Sequence, residues 1–229
     1  MTPTLDTPVR LTARLDTPLS RWLWLVKWIL AIPHVIVLVF LWLAVLVVSI
    51  VALVAVLINR RYPDALFDFV VGVLRWSWRV TWYAYGGLGT DRYPPFTLAE
   101  VPDYPATLEV ARPGELSRGL VLVKWWLLAI PHYLVLAVFA GSSTADGGTI
   151  GLTGLLVLFV GIALLFTGRY PRGLFDLIVG VQRWVYRVAA YALLLTDAYP
   201  PFRLDQGGAE PGEPVPGPGP TPVAAPRTG

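Results

Sequence analysis

The chain contains no cysteine, one methionine and two histidines in 229 residues. Without thiols there are no disulfides, thiolate metal sites or cysteine nucleophiles. Charge is also scarce: 14% of residues are Asp, Glu, Lys or Arg, against roughly 25% in an ordinary soluble domain. With 55% hydrophobic residues, that deficit points to a bilayer protein. The first twenty residues, MTPTLDTPVRLTARLDTPLS, hold no apolar run, so no cleavable signal peptide is expected and the first membrane helix would itself direct insertion. No H-E-x-x-H, G-x-S-x-G, phosphate loop or dinucleotide fingerprint occurs, so the chain reads as non-enzymatic, with no metal and no cofactor expected. The net charge is +3 and the pI near 9.3. The basic residues border apolar segments rather than forming a solvated patch, so anionic lipid is the expected partner and nucleic acid is not.

What the chain does have is a tandem duplication. Leu19-Ser20-Arg21 answers to Leu116-Ser117-Arg118 at an offset of 97. VKWILAIPH at 26–34 answers to VKWWLLAIPH at 123–132 with one residue inserted, which pairs His34 with His132 at an offset of 98. Arg61-Tyr62-Pro63 answers to Arg169-Tyr170-Pro171 at an offset of 108, and each copy closes with Tyr-Pro-Pro-Phe, at 93–96 and 199–202. The organisation is therefore an N-terminal cytoplasmic segment (1–18), membrane repeat 1 (19–98), a linker (99–115), membrane repeat 2 (116–204) and a Pro/Gly-rich tail (205–229) expected to be disordered.

The fold class expected is an all-α polytopic membrane protein, each copy a transmembrane helical hairpin plus an interfacial amphipathic helix. In copy 2 the polar, glycine-rich AGSSTADGGTIG splits the apolar run into helices at about 118–140 and 150–167. In copy 1 the run from Trp22 to Ile58 is unbroken and as one helix would reach roughly 55 Å, against a hydrocarbon core of about 30 Å. A tight turn near Phe40-Leu41-Trp42 is expected by analogy. The competing reading is a flat helix before Pro33 followed by one crossing. Arginines cluster beside both Arg-Tyr-Pro motifs, which makes the protein multi-pass with both termini cytoplasmic and the 141–149 loop outside. VRLTARL and ATLEVA alternate apolar and polar residues, the pattern of short juxtamembrane strands.

Pro63 and Pro171 fit the first turn of new helices. On the first, Asp68, Gly72, Arg75, Arg79 and Tyr83 fall within an arc of roughly 80°. On the second, Asp176, Gly180, Arg183, Arg187 and Tyr191 repeat that stripe. Charges at the bilayer centre would cost roughly 2.5–3.5 kcal/mol each, so both helices are expected at headgroup level, their stripes touching anionic lipid, a partner or a substrate. Arg61-Tyr62-Pro63 and Arg169-Tyr170-Pro171 would mark the chain's return to the interface. His34 and His132 each follow a proline within a helix and are read as bonding freed carbonyls, with ligand binding or proton relay as the alternative.

The duplicated arrangement of IPH, RYP, LFD and YPPF over 19–98 and 116–204 resembles an uncharacterised bacterial integral-membrane family, a domain of unknown function common in actinobacteria. The resemblance implies the fold and the bacterial cytoplasmic membrane; it implies no activity, substrate or catalytic residue. The leading functional expectation is a scaffold or accessory subunit contacting anionic lipid, a partner membrane complex or a second copy of itself. A small transporter or channel lined by the two stripes is the alternative. A haem held between the two histidines is third.

Overall fold

Strong apolar runs interrupted by Pro and Gly yield a mostly helical chain with one small sheet. The structure, a computed structural model, describes residues 8–140 and 151–205; the expected outer loop at 141–149 and the tail from 206 onward lie outside them. The elements run β1 (Val9–Ala13), α1 (Trp24–Leu30), α2 (Ile32–Asn59), α3 (Asp64–Val80), β2 (Ala106–Val110), α4 (Arg118–Val123), α5 (Ile130–Ala140), α6 (Leu152–Thr167) and α7 (Arg172–Ala192). π-helical turns follow α3 at Thr81–Tyr85 and α4 at Lys124–Leu128. Two helical stretches are long and apolar enough to cross a membrane, Ile32–Asn59 and Arg118–Ala137, with mean hydropathies of 3.2 and 1.8. Leu152–Thr167 is apolar and shorter.

The two expected strands form one antiparallel pair in which Leu11 faces Leu108, Val9 faces Val110 and Ala13 faces Ala106. Leu11 and Leu108 lie 97 residues apart, the offset of the repeat at this point. Pairing is therefore self-complementary, as in an isologous dimer interface, and a pseudo-two-fold axis passes through the Leu11–Leu108 pair. The same axis passes between α3 and α7, where Trp78 meets its repeat equivalent Tyr186 with ring centroids 5.7 Å apart. The copies are interlocked. β1, which leads into copy 1, packs on α7 of copy 2, while β2, which leads into copy 2, packs on α3 of copy 1. The core beneath the sheet is built from Leu11, Leu74, Trp78, Trp82, Leu108 and Ile178, each at most 2% exposed.

The turn expected at Phe40-Leu41-Trp42 is absent: α2 is one continuous helix of 28 residues, roughly 42 Å long. No Gly or Pro interrupts it after Pro33, and copy 1 lacks the polar insert that separates α5 from α6. The helix begins at Ile32 after a break at Ala31, which the competing sequence reading placed correctly. It ends at Arg60, whose φ of 59° is the left-handed closing conformation that Gly168 adopts at the equivalent end of α6 with φ 66°. α2 buries a single line, His34, Leu38, Val45, Ala52 and Val56, and leaves the rest of its apolar surface uncovered.

The residue inserted in copy 2 is absorbed by the π turn at Lys124–Leu128. A π turn holds one more residue than an α turn, so Lys124 and His132 keep the relation that Lys27 and His34 have in copy 1. Deleting Trp126 should convert this turn to α-helix and shift the melting temperature by no more than about 3 °C, on the order of 1 kcal/mol for a chain of this size. Deleting Leu74 rotates half of α3 by about 100° and should abolish cooperative melting. Thermal unfolding in mild detergent compares the two.

Candidate functional site: two equivalent lysine–histidine cages

α1 and the chain after α3 converge on a buried cation. Lys27 is 1% exposed; its Nζ donates to the Thr90 carbonyl at 2.6 Å and pairs with Asp91 Oδ1 at 2.7 Å. The Tyr83 ring lies 5.3 Å from the same nitrogen, and the Ser20 amide donates to Asp91 Oδ2 at 2.6 Å. Burial lowers the lysine pKa, and the Asp91 carboxylate opposes that shift. Copy 2 repeats every contact: Lys124 Nζ reaches the Thr196 carbonyl at 2.9 Å and Asp197 Oδ1 at 2.8 Å. Tyr191 lies 5.6 Å away, and the Ser117 amide donates to Asp197 Oδ2 at 2.6 Å. Each Lys–Asp pair thus ties the start of a copy to the segment that follows its stripe helix.

Two helical turns further on sits the histidine. His34 is fully buried, stacked on Phe96 at 3.9 Å and flanked by Tyr93 at 4.8 Å and Trp76 at 5.9 Å. Its Nδ1 accepts from Trp76 Nε1 at 3.1 Å. His132 is likewise stacked on Phe202 at 4.2 Å, with Tyr199 at 5.0 Å and Trp184 at 5.6 Å. Neither of its ring nitrogens has a hydrogen-bond partner among the described residues. The two histidines occupy separate cages, each built from the Tyr-Pro-Pro-Phe of its own copy. Among the described residues no cluster of three or more His, Asp or Glu could hold a metal.

The structure brings the stripe residues together beneath backbone rather than against solvent. Arg79 is 2% exposed and donates to the carbonyls of Thr97 and Ala99. Arg187 is 4% exposed and donates to the Arg203 carbonyl; burial lowers its pKa to about 10, with Arg203 adding to the shift. Arg75 donates to the Leu108 carbonyl at 3.0 Å, and Arg183 donates to the Leu11 carbonyl at 3.3 Å. A Cβ added at Gly72 would lie 2.8 Å from Leu98 Cβ, and one at Gly180 2.8 Å from Leu204 Cβ, so the glycines let the returning chain lie directly on the helix. Tyr83 and Tyr191 close the stripes against Tyr93 and Tyr199, each pair 5.7 Å apart. The space beside Arg75 and Arg79 is about 10 Å³, room for about one water.

The stripes' first carboxylates stand apart from these contacts. Asp68 is exposed and pairs with Arg112 at 2.6 Å, and Asp176 is exposed. In the interface motifs Arg61 and Arg169 are exposed, while Tyr62 is 7% exposed and packs edge-on to Phe67. The Tyr170 hydroxyl donates to the Gly87 carbonyl at 2.7 Å. Pro63 and Pro171 stand one position before the first helical residue. Sequence reasoning missed Lys27, Lys124 and the Thr-Asp pairs at 90–91 and 196–197. Their signal was present in the repetition itself, since both the lysine and the Thr-Asp recur in each copy.

Lys27→Met should cost about 3 kcal/mol of stability, since it strands a partly buried carboxylate; adding Asp91→Asn should recover part of the loss, read from the two melting curves. The histidine cages predict an asymmetry. His34→Phe should cost about 1–3 kcal/mol by leaving the Trp76 N–H unpaired. His132→Phe should be neutral or stabilising by about 1 kcal/mol, because no bond among the described residues is lost. Equal losses in the two variants would contradict the difference in hydrogen bonding.

No curated protein and no solved structure matches the chain. Residues 21–97 and 149–203 match the family described as a domain of unknown function, DUF4389. These two segments take in copy 1 from Arg21 through its Tyr-Pro-Pro-Phe and copy 2 from its apolar helix α6 through its own, so the chain belongs to the DUF4389 family.

Proposed function

We propose that the chain is a non-enzymatic integral protein of the bacterial cytoplasmic membrane, a scaffold or accessory subunit that contacts anionic lipid, with both termini on the cytoplasmic side. One observation carries the reading. The surface of α2, α5 and α6 away from the core is apolar and uncovered: Phe40 is 68% exposed, Leu46 64%, Leu134 67% and Phe166 77%. In water such a continuous patch would drive aggregation; in hydrocarbon it costs nothing.

The charges complete the picture. Arg60, Arg61 and Arg169 are exposed just past the ends of α2 and α6, and Arg118 and Arg172 are exposed at the starts of α4 and α7. Arg118 reaches the Ile58 carbonyl at 2.6 Å, so the end of α2 and the start of α4 share one basic rim. In this reading the rim meets anionic headgroups. The helices α5 and α6 of copy 2 enter the bilayer and return, and the sheet faces the cytoplasm. The buried cages and stripes hold the copies in register rather than perform chemistry.

Replacing Arg60, Arg61, Arg118 and Arg169 together by Gln should lower the phosphatidylglycerol that stays bound to the protein in mild detergent, while insertion into vesicles, which the apolar helices drive, is unchanged. The expected loss is about 1 kcal/mol per arginine, roughly fivefold each, and it should shrink as salt is added. Retention of zwitterionic lipid should not change. Equal retention of phosphatidylglycerol by variant and parent would remove the lipid reading. Co-purification of a stoichiometric membrane protein would then move the basic rim to a protein partner.

A further inference from the structure

The pseudo-two-fold axis, taken with the membrane reading above, fixes how α2 lies. The sheet sits on the axis and carries Arg10 opposite Glu109, with Arg14 and Arg112 exposed beside it. An axis in the membrane plane would bury these charges at bilayer depth, at roughly 2.5–3.5 kcal/mol each for basic residues. The axis therefore runs along the membrane normal, and the equivalent core residues of the two copies, in the sheet, the stripe helices and the Lys–Asp pairs, share one depth. The Lys27–Asp91 and Lys124–Asp197 pairs define that level.

α2 touches this level at its start, middle and end. At the start, His34 stacks on Phe96, and just before α2 the Leu30 carbonyl at the end of α1 accepts from the Tyr93 hydroxyl at 3.1 Å; both partners lie close in sequence to Asp91. In the middle, Ser49 and Leu53 share a groove of about 450 Å³ with Trp125, next to Lys124, and Leu194, just before Asp197. At the end, the Arg60 carbonyl accepts from the Leu116 amide at 2.8 Å, and the next residue, Ser117, donates to Asp197. A crossing helix of 28 residues would separate its ends by roughly 40 Å in depth. Here both ends return to one level.

We infer that α2 does not cross the membrane: it lies in the plane of one leaflet, its uncovered apolar face buried in that leaflet's hydrocarbon and its buried line held by α3 and α4. An ordinary in-plane helix needs a polar face of its own; here the protein body replaces it, which is why α2 can be apolar all round. The basic residues Arg60, Arg61 and Arg118 hold its end at the headgroups. Copy 2 has ten more residues between its histidine and its Arg-Tyr-Pro, as the offset grows from 98 to 108. That added length lets α5 and α6 form two helices and penetrate where copy 1 lies flat.

Because the chain lacks cysteine, single cysteines at Ile36, Phe40, Val47, Val54 and Ile58 can carry nitroxide labels in the full chain, reconstituted in phosphatidylcholine–phosphatidylglycerol vesicles. All five positions lie on the exposed face, so the buried line stays intact. Relative access of oxygen and a water-soluble nickel chelate reports depth. In-plane α2 gives depths that agree within about 5 Å. A depth that climbs by about 15 Å, half the hydrocarbon thickness, to a maximum near Val47, or changes steadily by that amount from Ile36 to Ile58, overturns the inference. Full nickel access at every position, together with failure to float with the vesicles, would instead refute membrane embedding itself.

Discussion

Four arginine side chains aimed at backbone carbonyls hold this fold. Arg75 and Arg183 donate to Leu108 and Leu11, the central residues of the strand pair. Arg79 and Arg187 donate to the chain returning after each stripe helix. Irregular backbone that is buried carries carbonyls that no helix or sheet satisfies, and away from water they need another donor. Guanidinium groups supply several donors each from a rigid plane, so a few arginines suffice in a chain with little charge. The glycines at 72 and 180 permit the approach, and everything outside the apolar helices is organised by it.

That constraint also explains why the copies cannot be separated. Arg75 and Arg183 each bind the strand that leads into the opposite copy, so either half alone would leave a guanidinium and a strand edge without partners. The self-complementary Leu11–Leu108 pairing and the Trp78–Tyr186 contact make the duplication behave as a fused dimer. Differences in length between the copies are pushed to places where the shared contacts do not notice them. One residue is taken up by a π turn between Lys124 and Leu128; ten more lie between α5 and the end of α6.

Much of the architecture was legible in the sequence. The repeat, the short strands, the helices starting after Pro63 and Pro171, and the gathering of Gly, Arg and Tyr on one face each follow from spacing, and the structure contains each of them; Asp68 and Asp176 stand apart, exposed. What the stripe faces was not legible. Periodicity places Arg79 and Arg187 on a face, and scarce charge suggested headgroups, yet both are covered by chain that returns from beyond the helix. The buried lysines were hidden for the same reason: a lysine next to a tryptophan at a helix start reads as an interfacial charge until its carboxylate, more than sixty residues away in each copy, is seen beside it.

The sequence by itself determined composition, duplication and helix faces, because these depend on local period and on the solvent that so apolar a chain requires. It also determined that α2 would be helical throughout, since nothing in it breaks a helix, although the expectation of a turn set that aside. Only the tertiary structure decided where α2 runs. Hydropathy measures how well a helix suits hydrocarbon and is blind to direction, so a crossing and an in-plane helix score alike. The direction comes from what the helix ends touch, and at His34 and Arg60 those partners, Phe96 and Leu116, are contributed by segments distant in sequence.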